Sequence, residues 1–72
     1  MSQSPERMLV FGAGDRAARL IKALAREREG RYLPVALLDD DPLKRHLRIT
    51  GIPVVGDRRD IAAAARQYDT AD

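Results

Sequence analysis

Cysteine is absent from this sequence, histidine occurs once, and the aromatic residues are two tyrosines and one phenylalanine. A chain without thiols has neither disulfides nor thiolate nucleophiles, and a lone histidine does not complete the usual zinc ligand sets. Three aromatic side chains offer little surface on which nucleic-acid bases can stack. These scarcities predict a chain with no metal centre and no nucleic-acid partner.

Long apolar runs are also missing. The longest clear one, residues 35–38, falls far short of the ~20 apolar residues that a membrane-spanning helix requires. Residues 1–6 form a polar tail that lacks the basic region and apolar core of a secretory signal. The charges are mixed, with 13 basic and 11 acidic residues and a net charge of +2, which again does not favour nucleic acid. We therefore expect a cytoplasmic chain.

Three short apolar segments are typical of buried strands. The first lies at residues 8–11 and the second at residues 35–38, and both are continuous apolar runs of the kind that parallel sheets bury on both faces. A proline at position 34 is tolerable only near the start of the second strand, because it cannot donate to a strand ladder. A third strand is expected at residues 52–56, after a turn at Thr50-Gly51.

Two further segments are typical of helices. Apolar residues recur at spacings of three and four over residues 15–29, opposite a charged face, which predicts an amphipathic helix that ends at Gly30. Alanine-rich residues 61–68 have high helix propensity, and Asp57 or Asp60 can cap that helix.

A glycine-rich turn joins the first strand to the first helix. Gly12 permits a sharp turn, Gly14 lets a phosphate approach the backbone, and the small Ala17 lets the helix pack close to the strand. The first turn of the helix then presents its unpaired N–H groups and positive dipole to the anion. The predicted site at this turn consists of Gly12, Ala13, Gly14, Asp15, Arg16 and Ala17. Two alternatives stay open: the turn serves packing only, and Arg16 lies on a solvated helix face rather than on a phosphate.

An acidic residue at the end of the second strand completes the pattern. Asp39 follows Gly14 by 25 residues, a spacing that suits one helix and one strand, and an acid there accepts the adenosine ribose hydroxyls and repels a 2′-phosphate. NAD or a related nucleotide is therefore the expected cofactor. Asp40 is the alternative in register, and the aspartates alternatively form only a turn. The basic residues that follow either select a phosphate or form a solvated loop; they are Lys44, Arg45 and Arg48.

The order strand, helix, strand, strand, helix predicts an α/β fold. We expect a truncated Rossmann-type, three-layer domain over residues 1–72, with three parallel strands in the order 3-2-1 and two main helices. The first strand is central in a complete fold of this type, so its outer edge is exposed here. An exposed edge predicts self-association. A truncated sheet also predicts weakened binding of an intact dinucleotide.

Three segments together resemble a known family: residues 8–14, residues 35–45 with their aspartate run, and residues 51–57 with a Gly-x-Pro-Val-x-Gly pattern. They are similar to the N-terminal, NAD- or CoA-binding-like Rossmann domain of bacterial polysaccharide-biosynthesis nucleotide-sugar epimerases and dehydratases. The resemblance implies that Gly12, Gly14 and Asp39 form the nucleotide-binding turn and ribose acid. It also implies a parent protein at the cytoplasmic face of the inner membrane, whose second Rossmann domain performs the reaction.

Three hypotheses about function follow, and none of them assigns a catalytic residue to this chain. The first is a nucleotide-binding accessory module of a nucleotide-sugar 4,6-dehydratase or epimerase, a lyase or an isomerase. The second is an assembly module whose glycine turn is vestigial. The third is the N-terminal piece of an ordinary NAD-dependent dehydrogenase, which we rank lowest.

Overall fold

A computed structural model describes residues 5–70. Its helices and strands are β1 (Glu6–Phe11), α1 (Asp15–Arg26), β2 (Tyr32–Leu38), β3 (Arg48–Ile49), β4 (Ile52–Gly56) and α2 (Ile61–Gln67). Two short 3₁₀ turns, Pro42–Lys44 and Arg58–Asp60, follow β2 and β4. The fold is α/β, and four of the six residues in the predicted polar tail lie outside the described residues.

The sheet has four strands in the order β1-β2-β4-β3. β1 pairs parallel with β2, β2 pairs parallel with β4, and β3 pairs antiparallel with β4. The predicted sheet of three parallel strands is therefore wrong in strand number and in type, because the sheet is mixed. It is open rather than closed, with β1 at one edge of the described strands.

The additional strand arises from a tight hairpin. Ile49 of β3 lies opposite Ile52 of β4, and only Thr50 and Gly51 connect them. Both connecting residues have positive φ, 48° and 88°, the backbone that two-residue hairpins require because it matches the strand twist. Thr50-Gly51 is thus a hairpin turn, which returns the chain from β3 directly into β4.

Pro34 lies inside β2, which begins at Tyr32 rather than at residue 35. The register with β1 shifts at this point: Met8 lies opposite Pro34, and Leu9 lies opposite Ala36. One residue of β2, Val35, is therefore left over as a bulge. A bulge is one of the few places where a strand tolerates a proline, since the ladder is already interrupted there.

Helix α1 ends at Arg26, three residues before Glu29, the last residue of the predicted helical pattern. Its C-terminal cap, Glu27, is already extended, with φ −67° and ψ 126°. The side chains of Glu27 and Glu29 both bind Arg31, at 3.0 and 3.1 Å, so the segment that the periodicity assigned to the helix forms a turn held by ion pairs. Gly30, with φ 57°, supplies the bend in that turn.

The core lies mainly between the sheet and α1. Ala17 and Ile21 of α1 pack with Val10, Leu37 and Val54 of the three parallel strands. Neighbouring residues of a strand point to opposite faces, and the buried residues outside this cluster include Ala36, Leu38 and, in α2, Ala64. Helix α2 therefore covers the second face. Within residues 5–70, no helix is long and apolar enough to cross a membrane.

Candidate functional site

The parallel strands deliver their polar residues to one edge of the sheet. β1 leads into the glycine turn at Gly12, β2 leads into Asp39, and β4 leads into Asp57. Backbone hydrogen bonds align these three strand ends: the N–H of Gly12 donates to the carbonyl of Leu38 at 2.7 Å, and the N–H of Asp39 donates to the carbonyl of Gly56 at 2.9 Å. Open α/β sheets bind their ligands beyond this carboxyl edge.

The two glycines of the turn differ in conformation. Gly12 has φ 102°, a backbone that residues with a Cβ rarely adopt. Gly14 has φ −109° and ψ −160°, which is extended backbone, and it is the N-cap of α1 without a side-chain hydrogen bond to the helix. A Cβ added to Gly14 would meet no atom within 4 Å. Gly12 is required by the turn, whereas the fold itself places no such requirement on Gly14.

Asp39 is bound to the glycine turn. Its Oδ2 accepts a hydrogen bond from the backbone N–H of Ala13 at 2.8 Å, and its Oδ1 accepts one from the N–H of Asp41 at 2.8 Å. The N–H of Asp41 and then that of Ala13 lower the pKa of this carboxyl below its ordinary value, and the charge of Lys44 adds to the effect. Asp39 is therefore a fixed, half-buried carboxylate at neutral pH.

Lys44 reaches the same turn from the other side. Its Nζ donates to the carbonyl of Ala13 at 3.2 Å. The 3₁₀ turn that carries it begins at Asp41, whose side chain accepts from the N–H of Leu43 at 2.9 Å. The sequence left two roles open for Lys44, to select a phosphate or to lie in a solvated loop. Asp41-Pro42 is typical of the start of a short helical turn, and such a turn carries Lys44.

Asp40 faces away from the glycine turn and pairs with Arg58. The Nε of Arg58 donates to Oδ2 of Asp40 at 2.7 Å, and its backbone N–H donates to Oδ1 at 3.1 Å. The side chain of Arg58 and then its N–H lower the pKa of the Asp40 carboxyl. The two aspartates at the end of β2 thus have different partners: Asp39 fixes the turn after β1, and Asp40 fixes the turn after β4.

The side chain of Asp57 is largely covered, with 16% of it exposed. Asp57 caps the 3₁₀ turn before α2 by accepting from the N–H of Arg59, and its own N–H donates to Oδ2 of Asp60. The side chain and then the N–H of Arg59 lower the pKa of Asp57 to about 2. Arg45 adds weaker contacts to Asp57 and Asp60, at 3.6 and 3.7 Å.

The other residues of the predicted site have simpler positions. Asp15 and Arg16 are exposed in the first turn of α1, while Ala13 and Ala17 are buried, at 3% and 6% exposure. The structure thus brings Gly12, Ala13 and Gly14 together with Asp39, and separates Asp40 from them. In the part of the chain that the structure describes, no group of three histidine, cysteine or acidic residues is arranged to hold a metal ion.

Comparison with known proteins adds one relationship. A protein of Bacillus subtilis (strain 168), described as probable polysaccharide biosynthesis protein EpsC, is 36% identical over 61 residues. The chain is similar to a polysaccharide-biosynthesis protein. The match covers 85% of this chain and 10% of the relative, so the chain spans about a tenth of that protein's length. No family model matches the chain, and no solved structure matches it.

This similarity agrees with the broader part of the resemblance drawn from residues 8–14, 35–45 and 51–57, namely the likeness to proteins of polysaccharide biosynthesis. The narrower parts, namely the Rossmann assignment, the NAD-like ligand and the epimerase or dehydratase parent, stay predictions.

Proposed function

We propose that this chain is a nucleotide-binding module of Rossmann type that serves polysaccharide biosynthesis. Its ligand is NAD or a related nucleotide, whose diphosphate lies against Gly14 and the first turn of α1, and whose ribose lies against Asp39. The similarity to the Bacillus subtilis protein supports the biological setting. The meeting of a glycine turn, a helix N-terminus and a carboxylate at one sheet edge supports the ligand class.

Gly14 is the observation that carries this proposal. A glycine kept for folding alone has a positive φ or a crowded α-carbon, and Gly14 has neither. Serine, asparagine or aspartate would be a better N-cap, because their side chains bind the first amides of the helix. A bare backbone at this position instead leaves those amides accessible to an anion. The position therefore favours a ligand over a turn kept for packing only.

Asp39 retains acceptor capacity for a ribose. An ionised carboxylate has about four lone-pair sites, and the amides of Ala13 and Asp41 use two of them. The remaining sites can accept the 2′- and 3′-hydroxyls of an adenosine ribose, whereas a 2′-phosphate would meet a negative charge. This arrangement favours NAD over NADP.

The module is proposed as an accessory domain of a nucleotide-sugar epimerase or 4,6-dehydratase, in which another domain performs the reaction. The carboxylates of Asp40 and Asp57 are engaged by arginines, and that of Asp39 is held by backbone amides. Such fixed groups suit recognition, and they support a binding role for this chain.

An amide chemical-shift titration tests this function. NAD, NADP and a nucleotide sugar are added in parallel to the wild-type chain, to Gly14→Val and to Ala63→Val, a control substitution at an exposed position of α2. We expect NAD to shift the amides of residues 12–17 and Asp39 in the wild type and in the control, but not in Gly14→Val. A folded wild-type chain whose amides none of the three ligands shifts would contradict the proposal.

A second candidate function, self-assembly, is favoured by the open edge of β1. At the end of this strand Phe11 is 51% exposed, and Ile61 of α2 is 44% exposed. Leu9, Tyr32 and Ile61 are among the residues that line a groove of about 500 Å³ beside the strand.

Sedimentation velocity over a range of protein concentrations tests assembly. If the wild-type chain associates through β1, we expect the Phe11→Lys variant to be monomeric, because it places a charge at the open edge. Leu20→Lys is the matched control, because Leu20 is a comparably exposed apolar residue of α1, at 41%, and its replacement leaves association intact. A wild-type chain that is monomeric at every concentration overturns this candidate.

A further inference from the structure

Lys44 occupies a position that the glycine turn alone does not explain. Its Nζ lies 3.2 Å from the carbonyl oxygen of Ala13, the residue that precedes Gly14. The ammonium group thus contacts the peptide carbonyl that joins Ala13 to Gly14, and a Cβ added to Gly14 would meet no atom within 4 Å. A lysine ammonium has three N–H donors, and the carbonyl of Ala13 uses one of them.

Lys44 also differs from its basic neighbours in how its charge is balanced. Arg58 is paired with Asp40 at 2.6 Å, Arg59 with Asp57 at 2.9 Å, and Arg45 with Asp57 at 3.6 Å. Among the ion pairs of residues 5–70 none includes Lys44, whose hydrogen bond goes to a neutral carbonyl. Lys44 can therefore turn to an incoming anion without breaking an ion pair, whereas Arg45, Arg58 and Arg59 cannot.

We propose that Lys44 binds the diphosphate of the nucleotide, exchanging the carbonyl of Ala13 for a phosphate oxygen when the ligand arrives. This inference rests on the nucleotide-binding function proposed above. The exchange replaces a hydrogen bond to a neutral oxygen with one to an anionic oxygen, which is stronger. Lys44 would then face the diphosphate opposite the first amides of α1, and Asp39 would remain available to the ribose.

The test compares a ligand that has the diphosphate with one that lacks it. The dissociation constants of ADP and adenosine are measured by calorimetry for the wild type, Lys44→Gln and Lys44→Arg. Lys22→Gln is the control, because Lys22 is the other lysine of the chain and is exposed in α1. Each variant is first checked for folding by circular dichroism.

We expect Lys44→Gln to weaken the binding of ADP about tenfold and to leave the binding of adenosine unchanged. Lys44→Arg, which keeps the charge, retains most of the ADP affinity. Lys22→Gln changes the affinity for neither ligand. An unchanged ADP affinity in Lys44→Gln, or an equal loss for adenosine, overturns the role of Lys44 while the binding function stands. Absence of ADP binding by the folded wild-type chain overturns both.

Discussion

The carboxylate of Asp39 accepts a hydrogen bond from the backbone N–H of Ala13, 26 residues earlier in the chain, at 2.8 Å. This bond joins the end of β2 to the glycine turn after β1. Because the same carboxylate also accepts from the N–H of Asp41, one side chain sets the conformation of two loops. The proposed ribose ligand is thus also a structural element of the unliganded turn.

Replacing Asp39 with asparagine should weaken the fold as well as the site. The amide oxygen of asparagine can accept only one of the two N–H groups well, because the other end of the side chain is a donor. We expect Asp39→Asn to lower the thermal midpoint and to shift the amide resonances of Ala13 and Asp41. Asp69→Asn serves as the control, since the side chain of Asp69 is 91% exposed and has only a 3.5 Å contact with Arg7. Equal thermal midpoints for the two variants would contradict this interpretation.

The free energy of unfolding should depend on pH through three carboxylates, Asp39, Asp40 and Asp57. Each has its pKa lowered in the folded chain, that of Asp57 to about 2. An unfolded aspartate titrates near pH ~3.9, so between that pH and the folded pKa the unfolded chain binds more protons. The contribution of these carboxylates to the free energy of unfolding is therefore fully present above about pH 5 and is lost progressively as the pH falls toward about 2.

Urea denaturation at a series of pH values measures this dependence. Asp57→Asn should show a shallower decline between about pH 4 and about pH 2 than the wild type, since one of the contributing groups no longer titrates. Identical slopes for the wild type and Asp57→Asn would show that the contacts of Asp57 with Arg59 do not contribute.

The two glycines of the turn should respond oppositely to a side chain. Gly12→Ala places a Cβ on a residue with φ 102°, which costs about 1–3 kcal/mol of unfolding free energy. Gly14→Ser introduces an N-cap side chain at an extended, uncrowded position and should raise stability by a few tenths of a kcal/mol. Chemical denaturation of both variants measures these changes. A loss for Gly14→Ser as large as that for Gly12→Ala would mean that Gly14 is structural after all.

Gly56 should tolerate no side chain, because of its neighbour Asp60. A Cβ at this buried glycine would lie 2.7 Å from Cγ of Asp60 and 2.8 Å from its Cβ. Gly56→Ala must therefore displace the 3₁₀ turn and should cost about 1–3 kcal/mol. In a double-mutant cycle, Asp60→Ala should remove part of that cost, so the two losses combine to less than their sum. Strict additivity would contradict a clash between these residues.

Local sequence patterns predicted the elements that depend on local physics. The apolar run at residues 8–11 lies within β1, and the periodicity from Asp15 located α1, because packing of one helical face produces that spacing. The end of α1 was not predicted correctly, since the ion pairs of Arg31 with Glu27 and Glu29 form only after the chain turns back.

Features that depend on pairing between distant segments were harder to predict. β3 is two residues long, too short for any periodicity, although the turn predicted at Thr50-Gly51 was compatible with a hairpin. For the site, the sequence assigned Asp39 and the glycine turn to one ligand. It gave no sign that Asp39 and Lys44 both contact Ala13, because those contacts depend on the three-dimensional positions of two loops.

Backbone hydrogen bonds link the ends of the three parallel strands one after another, from β4 through β2 to the glycine turn after β1. Gly12 is fastened to Leu38, Asp39 is fastened to Gly56, and Gly56 ends the strand that the Thr50-Gly51 hairpin positions against β3. A change in the conformation of that hairpin, far along the chain from the glycine turn, would therefore alter the position of β4, then that of β2, and so the backbone of Gly12. The geometry of the turn is a property of the whole sheet rather than of the few residues that compose it.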